Sequence, residues 1–327
     1  MAIALVVPSY RETQIVEFLH AWSSQRMDAR VATYVVEDGP ERSFALPRDV
    51  GQVQHLCWAD APKEMLDCVT VRSPGCRQIG FFHAYMDGAD VVITLDDDVR
   101  PTAGSNALDM FCEVLTEGVP LWVDPLLNYR SRGYPEHNVG SVSVSFHVGS
   151  FLTIPDVDGE TQLLHAADFA ERPPQYVPRP TVVASRQLIP VNGGACAWTR
   201  ELSPYVHYTV WDGDLGYRRF DDIWMGVIVK RLLDHCGLAM SYGPPYLHHI
   251  RASDPARNAT LEANAKQFNE NFWSQLDMAL EDVLDPAPRT LADTWLAIAG
   301  ALQAIDNRWA RLEGESMLRW SSFFRSG

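Results

Sequence analysis

The sequence predicts an α/β fold: a mixed sheet flanked by helices and continued by a carboxyl-terminal helical extension. Three observations lead there. Short apolar runs alternate with helix-period segments in the first third of the chain, an order that favours parallel strands joined by covering helices. Each apolar run stops at a polar cluster, namely Pro8-Ser9-Tyr10-Arg11, Glu37-Asp38-Gly39 and Asp96-Asp97-Asp98. Beyond residue 257 the pattern is helical alone.

Taken in order, Ile3 to Val7 is an apolar run that ends at Pro8 and reads as the first buried strand. Thr13 to Gln25 carries Ile15, Phe18, Leu19 and Trp22 at helical spacing. Val31 to Val36 is the second strand, closed by the turn signal Glu37-Asp38-Gly39-Pro40. Ser73-Pro74 pairs an N-cap residue with proline at the first helical position, so a helix is expected from there to Asp87-Gly88. Ala89 to Leu95 is the next strand, and it delivers three consecutive aspartates. Ligands of open α/β sheets bind beyond the carboxyl ends of strands, so the three polar clusters are expected on one edge.

The middle of the chain changes character. Val142, Val144, Phe146 and Val148 alternate with Ser143, Ser145, His147 and Gly149, the pattern of a half-buried, antiparallel strand. After Arg219, a stripe of Phe220, Ile223, Trp224, Val227, Ile228 and Leu232 predicts a helix that closes near Cys236-Gly237. Helical periodicity then runs through Leu261–Leu284 and Leu291–Leu318. We divide the chain into a catalytic unit over residues 1–256 and a helical extension over residues 257–327 that packs on or beside it. Exposed helices there leave room for a homo-oligomer.

The chain has 327 residues, 46% of them apolar, and a formal net charge of −15. Such acidity argues against nucleic acid or an anionic membrane as partner, since phosphate contacts need clustered Lys and Arg. A polyphosphate ligand would need placed arginines, a metal ion, or both. The six cysteines are scattered without zinc spacing, as expected of reduced thiols in a cytoplasmic protein. No basic leader precedes the first apolar run, and no run approaches the length of a membrane span. The fingerprints of NAD, flavin and triphosphate-loop sites are missing, as is a nucleophile elbow.

Several constellations can carry chemistry. Alternate carboxylates at a strand end suit a divalent cation, so Asp96 and Asp98 are expected towards metal or sugar and Asp97 towards ribose or backbone; a solvated turn is the plain alternative. His248 and His249 late in the chain can add an imidazole, a donor set that suits manganese better than magnesium or calcium, with one of the pair behind the other. Asp221 and Asp222 open a helix, where they complement its dipole or face a sugar as base, hydroxyl acceptor or charge stabiliser. Trp224 stacks on a sugar or joins the core. Asn192-Gly193-Gly194, read as following a strand, makes a tight turn with exposed amides. Arg77, in the first helical turn, opposes the dipole and so serves another group, such as a diphosphate. Asp38 can meet a nucleobase, and Pro8, Ser9, Tyr10 and Arg11 line the same edge.

The strand ending in Asp96-Asp97-Asp98, with "PSYRE" and "VVEDG", resembles the GT-A nucleotide-diphospho-sugar fold. More specifically, "RGYP" (Arg132–Pro135), "IPDVDGETQL" (Ile154–Leu163), "IPVNGGACAWTREL" (Ile189–Leu202), "GYRRFDDIWMG" (Gly216–Gly226) and "PYLHHIRASDP" (Pro245–Pro255) resemble, in order, the reversibly glycosylated polypeptide family. The resemblance covers roughly residues 3 to 275. It implies a metal-dependent, flavin-free interconversion of pyranose and furanose forms of an NDP-sugar, with Mn2+ or Mg2+ as cofactor and neither flavin nor NAD. It carries Asp96, Asp97, Asp98 and Arg77 into the nucleotide and metal site. His249 follows as metal ligand, Arg251 as the residue where the family has Lys, and Asp221 with Asp222 as the paired catalytic aspartates. Arg132 and Tyr134 belong to the shared "RGYP" element and are expected on the sugar-nucleotide. Val139-Gly140 stands where plant members carry the arginine associated with self-glycosylation, so the resemblance does not extend to that modification. This departure weakens the case for UDP-arabinose, and the resemblance then suggests a 6-deoxyhexose or hexose on GDP or UDP, for instance GDP-fucose. A metal-dependent glycosyltransferase and a non-catalytic sugar-nucleotide-binding subunit are the competing readings.

Overall fold

A computed structural model describes residues 1–123, 131–135, 137–171, 177–250, 253–281 and 289–324, with 166–171 as backbone only. The strands are β1 (Ile3–Ser9), β2 (Val31–Glu37), β3 (Val53–Leu56), β4 (Val91–Leu95), β5 (Val99–Pro101), β6 (Val119–Pro120), β7 (Ser141–Val142), β8 (Val144–Phe151), β9 (Thr181–Val182), β10 (Ala195–Thr199) and β11 (Ala239–His249). The α-helices are α1 (Glu12–Ala21), α2 (Ser23–Arg26), α3 (Gln78–Met86), α4 (Ala107–Glu117), α5 (Gly159–Glu171), α6 (Asp221–Cys236), α7 (Pro255–Glu281), α8 (Leu291–Ala304) and α9 (Arg308–Ser322).

The main sheet runs β3-β2-β1-β4-β10-β8-β11-β5, with β9 also on β11 and β6-β7 as a separate ribbon. Strands β1 to β4 pair in parallel through β1 and β2. Strand β10 is antiparallel to both β4 and β8, and β11 is parallel to β8. This is the expected mixed α/β sheet. The pairing gathers the carboxyl ends of β1, β2, β4, β8 and β11, and the amino end of β10, on one edge.

The side-chain period of two divides the sheet into two cores. Ile3, Leu5, Val7, Ile93 and Leu95 face α1 and α4, meeting Phe18, Trp22 and Phe111. Ala4, Val6, Val92 and Trp198 face the other way, against α3, α6 and the last helices. Helix α3 lies close on β1 and β2 because Gly80 has no side chain: a Cβ there would fall 2.5 Å from Val6 Cγ1. The second core is aromatic. Trp224, Trp295, Trp309 and Trp320 are all essentially inaccessible, each contributing roughly 2–3 kcal/mol by burial. Helix α8 packs on α6, α7 and α9, so the carboxyl-terminal helices close this core.

Some expectations need correction. The helix expected over Thr13–Gln25 divides at Trp22 into α1 and α2. The helix expected from Ser73 starts as a 3-10 turn, Pro74–Arg77, with Ser73 Oγ accepting from Gly75 N (3.0 Å), and continues as α3. The second tail helix is two, since Asn307 starts a new N-cap by accepting from Ala310 N (3.2 Å). Strand β8 is buried on both faces rather than half-buried. Its polar phase is internal because His147 is bonded to Ser241 Oγ and Pro244 O, both at 2.8 Å. Burial lowers the pKa of His147 to about 4 and keeps it neutral. Among the described residues no helix is long and apolar enough to cross a membrane.

Candidate active site

Each aspartate after β4 meets its own basic side chain. Asp96 accepts from the Arg77 guanidinium at 2.5 Å. Asp97 is gripped by Arg11 through Nη2 and through Nε (3.2 Å), and it accepts from Ser9 Oγ at 2.5 Å. Asp98 lies 3.5 Å from His249 Nε2 and 3.6 Å from Arg11. Three carboxylates can therefore end a buried strand, because elements distant in sequence supply three compensating groups. Tyr10 is exposed beside them, its ring 5.2 Å from the Arg11 guanidinium, while Pro8 is buried in β1.

Arg77 is a buried brace. It donates to Pro74 O (2.9 Å), Thr94 Oγ1 (3.0 Å) and Gly193 O (2.5 Å) besides Asp96, and it lies over the Tyr208 ring at 4.9 Å. The cation that opposes the helix dipole is thus used on the chain itself, where it orients Asp96 and the glycine turn. That turn precedes β10 rather than following a strand. Asn192 Oδ1 accepts from Gly194 N, and Asp222 Oδ2 accepts from Gly193 N, both at 2.9 Å. A Cβ on Gly193 would lie 2.6 Å from Asp222 Cβ, and one on Gly194 2.5 Å from Asp96 Oδ2. Only two glycines let the start of α6 and the Asp96 turn approach so closely.

The pair at the start of α6 is electrostatically unlike the triplet. Burial raises the pKa of Asp221, whose Oδ2 has no hydrogen-bond partner among the described residues. The Trp211 indole N–H opposes this rise from nearby without reaching hydrogen-bond geometry. Asp222 is raised further, first by burial and then by the charges of Asp221 and Asp156. Backbone amides of Gly193 and Ile223 are its bonded partners, and the Gly193 bond opposes the rise.

His249 is set for ligation. Its Nδ1 faces Ile154 O at 3.3 Å, which turns Nε2 towards Asp98. Burial opposes charge on the ring, but Asp98, Asp96 and Asp156 together raise its pKa. A site that draws a proton onto imidazole amid carboxylates also suits a divalent cation. Asp98 and His249 fit as half of a coordination shell. Among the described residues no group of three or more His, Cys, Asp or Glu side chains is arranged to hold a metal. Asp96, expected in the metal set, is committed to Arg77.

The other expected residues divide. Asp38 Oδ1 accepts from Trp58 Nε1 (2.9 Å) and Arg72 N (2.8 Å), with the Arg72 guanidinium over the Trp58 ring at 5.8 Å. Burial raises its pKa against those bonds. Of the two readings of Trp224, the core is the one found: it is buried among Phe220, Phe268 and Trp309, with Nε1 bonded to Asn269 Oδ1 (2.9 Å), and does not face a sugar. His248 faces away from His249, as successive strand residues do, and lines a separate cavity of about 730 Å³ with Gln25 and Thr102. Arg132 is exposed, and Tyr134 packs edge-on against Trp122. Arg251 lies outside the described residues.

Sequence reasoning missed Tyr208, Asp156 and Glu313. Tyr208 Oη donates to Gly193 O at 2.8 Å. Asp156 sits in the "IPD" motif, whose aspartate was the available signal. Glu313 of α9 is fully buried, bonded to His207 Nδ1 (2.9 Å) and Val210 N (2.8 Å). It holds the segment carrying Tyr208 and Thr209, and Thr209 N donates to Asp221 O at 3.2 Å. The last helix therefore backs the aspartate pair, with no pattern in the sequence to announce it.

Comparison with known proteins adds identity to this geometry. UDP-arabinopyranose mutase 1 of Arabidopsis thaliana is 27% identical over 295 residues, covering 83% of this chain and 76% of that one. Probable UDP-arabinopyranose mutase 1 of Zea mays is 25% identical over 346 residues, covering 97% and 88%. Among solved structures, glucosyl-3-phosphoglycerate synthase of Mycobacterium tuberculosis aligns at a TM-score of 0.43 and 15% identity over 84% of this chain and 80% of that chain. The family model for reversibly glycosylated polypeptides matches residues 54–326, from β3 through α9, and so takes in the aspartate triplet, the glycine turn, the α6 pair and His249. With that span matched, the chain belongs to the reversibly glycosylated polypeptide family.

Proposed function

We propose that this protein is a GT-A-like, metal-assisted NDP-sugar mutase that interconverts pyranose and furanose rings. One observation carries the reading: a carboxylate pair whose pKa values are raised and the Asp98–His249 contact meet on one sheet edge, linked through Gly193-Gly194 and Arg77. The mutase names of the relatives support it. Isomerisation at the anomeric carbon needs charge neutralised on a departing diphosphate and a proton moved between sugar oxygens, and these residues suit both tasks.

Asp98 and His249 would hold Mn2+ or Mg2+, which supplies Lewis-acid neutralisation of the diphosphate when bound. Arg11 fixes Asp97, and Arg77 fixes Asp96, so neither carboxylate reorganises as charge develops. Asp222 donates its proton to a sugar oxygen that leaves the anomeric carbon, while Gly193 N orients its carboxyl group. Tyr10, Asp38 and Trp58 lie towards the β1 and β2 ends, the side assigned to the nucleoside.

The test incubates purified protein and Mn2+ with UDP-arabinopyranose, UDP-galactose, GDP-fucose and GDP-mannose, with and without EDTA, followed by anion-exchange chromatography. UDP-arabinopyranose is the substrate in the relatives' names; GDP-fucose is the example that the resemblance suggests, given the departure at Val139. A new NDP-sugar of unchanged mass, lost with EDTA, is expected from one donor. Free NDP in its place would mean transfer to an acceptor, and recovery of every donor intact would remove the mutase reading.

A further inference from the structure

Helix α6, which carries the aspartate pair, starts without a capping side chain, since Phe220 offers none. Its entry is set one residue earlier. Arg219 has φ +61°, in the left-handed region that a residue with a Cβ rarely adopts. Such a conformation persists only where the surroundings hold it. The holder is Glu262 of α7, a buried carboxylate that accepts from two separate segments. Its Oε1 accepts from Arg219 Nε at 2.9 Å, and its Oε2 accepts from Gly159 N at 2.8 Å. Helix α7 holds both segments beyond this carboxylate. On the Arg219 side, Asn264 Nδ2 donates to Leu215 O (3.0 Å), and Asn269 Oδ1 accepts from Trp224 Nε1 (2.9 Å). On the other side, a Cβ on Gly159 would run into the Ala259 amide and the Pro255 carbonyl, so glycine lets that segment seat on α7. The loop before Gly159 contains Ile154, whose carbonyl faces His249 Nδ1, and the segment through Arg219 leads into Asp221 and Asp222. One carboxylate therefore joins the approaches to both halves of the site.

We propose that Glu262 is a positioning residue of the isomerisation, a role that rests on the mutase reading. It holds Arg219 in its left-handed turn, and the turn sets the orientation in which Asp222 meets the sugar. Glu262 itself touches no reacting atom. What it secures is the backbone at Arg219 rather than a contact of the guanidinium with substrate. Glycine at position 219 should therefore make Glu262 dispensable, because glycine takes positive φ without a Cβ clash. Alanine at 219 removes the same guanidinium and keeps the clash. Glutamine at 262 preserves size, but its amide group is a donor facing one of the two N–H groups that the carboxylate accepts, so one of the two contacts is lost.

The experiment uses the full chain with Mn2+ and the donor that wild type isomerises, and it follows kcat, KM and amide hydrogen exchange over residues 215–224. Glu262→Gln is expected to lower kcat about 10-fold with KM within about 2-fold, and to speed exchange over that segment about 10-fold. Adding Arg219→Gly to Glu262→Gln should return kcat to within about 3-fold of wild type, whereas adding Arg219→Ala should not. A general loss of stability would not separate glycine from alanine at one position. The same glycine–alanine contrast with Glu262 intact keeps the test decisive should Glu262→Gln not fold. Unchanged kcat in Glu262→Gln, or equal kcat in the two double variants, would overturn the role. A wild type that isomerises no donor would remove the mutase reading and this role with it, even where exchange responds as expected.

Discussion

Two acidic clusters share this site and are built in opposite ways. Asp96, Asp97 and Asp98 are met by Arg77, Arg11 and His249, so their charges are compensated in place. Asp221 and Asp222 have no basic side chain bonded to them among the described residues; burial, and at Asp222 the charge of Asp221, raises their pKa values. Both are short aspartate runs in the sequence. What distinguishes them is what the fold sets opposite: basic side chains compensate the first cluster, whereas burial and the neighbouring carboxylate raise the pKa of Asp222 in the second.

The strongest way to break this contrast is to remove one compensating ligand. Asp98→Ala or His249→Ala should lower kcat/KM about 10³-fold and abolish its dependence on Mn2+; chelator-resistant activity in either would contradict the metal assignment. Next, Arg11→Met leaves Asp97 buried against Ser9 alone and should cost about 3 kcal/mol of stability, read from the denaturant midpoint at constant slope. A shift within error of zero would show that Arg11 does not compensate the buried charge.

The contrast sharpens at the second cluster. Asp222→Asn should slow isomerisation about 10²-fold. The sign of its pH dependence follows from a raised folded pKa: the acid form and its stabilising contribution are present at low pH and are lost as pH rises through that value. Wild-type kcat should therefore fall on the alkaline side, and the fall should flatten in Asp222→Asn. An unchanged alkaline limb would place the proton elsewhere. The smallest effect is expected behind the pair: Glu313→Gln keeps size and one acceptor, and should cost about 1–2 kcal/mol in thermal unfolding, with a modest loss of kcat. A larger kcat loss at unchanged stability would mean that α9 sets the geometry of Asp221 directly.

Much of the framework was legible before any coordinates. Strand ends were visible because an apolar run that stops at carboxylates must reach an edge, and Gly237 closes α6 in the left-handed conformation that its sequence position suggests. Trp224 had two readings because a helical stripe shows only that a face is covered; Phe268, Phe272 and Trp309, far along the chain, are what cover it. Strand β8 was taken as half-buried because alternation cannot show that Ser241 and Pro244 satisfy His147 from within. His248 and His249 could not be separated by composition, whereas strand alternation sends one into the site and the other out of it.

The sequence by itself determined the first parallel strands with their helices, α6, the edge on which polar clusters gather, and the family. Those follow from local periodicity and short motifs, which neighbouring residues set. The tertiary structure alone decided which aspartates are met by basic side chains. It also decided that Arg77 is a brace and that the last helix supports the site through Glu313. Charge compensation and desolvation depend on groups brought together from distant parts of the chain, and only the folded chain places them.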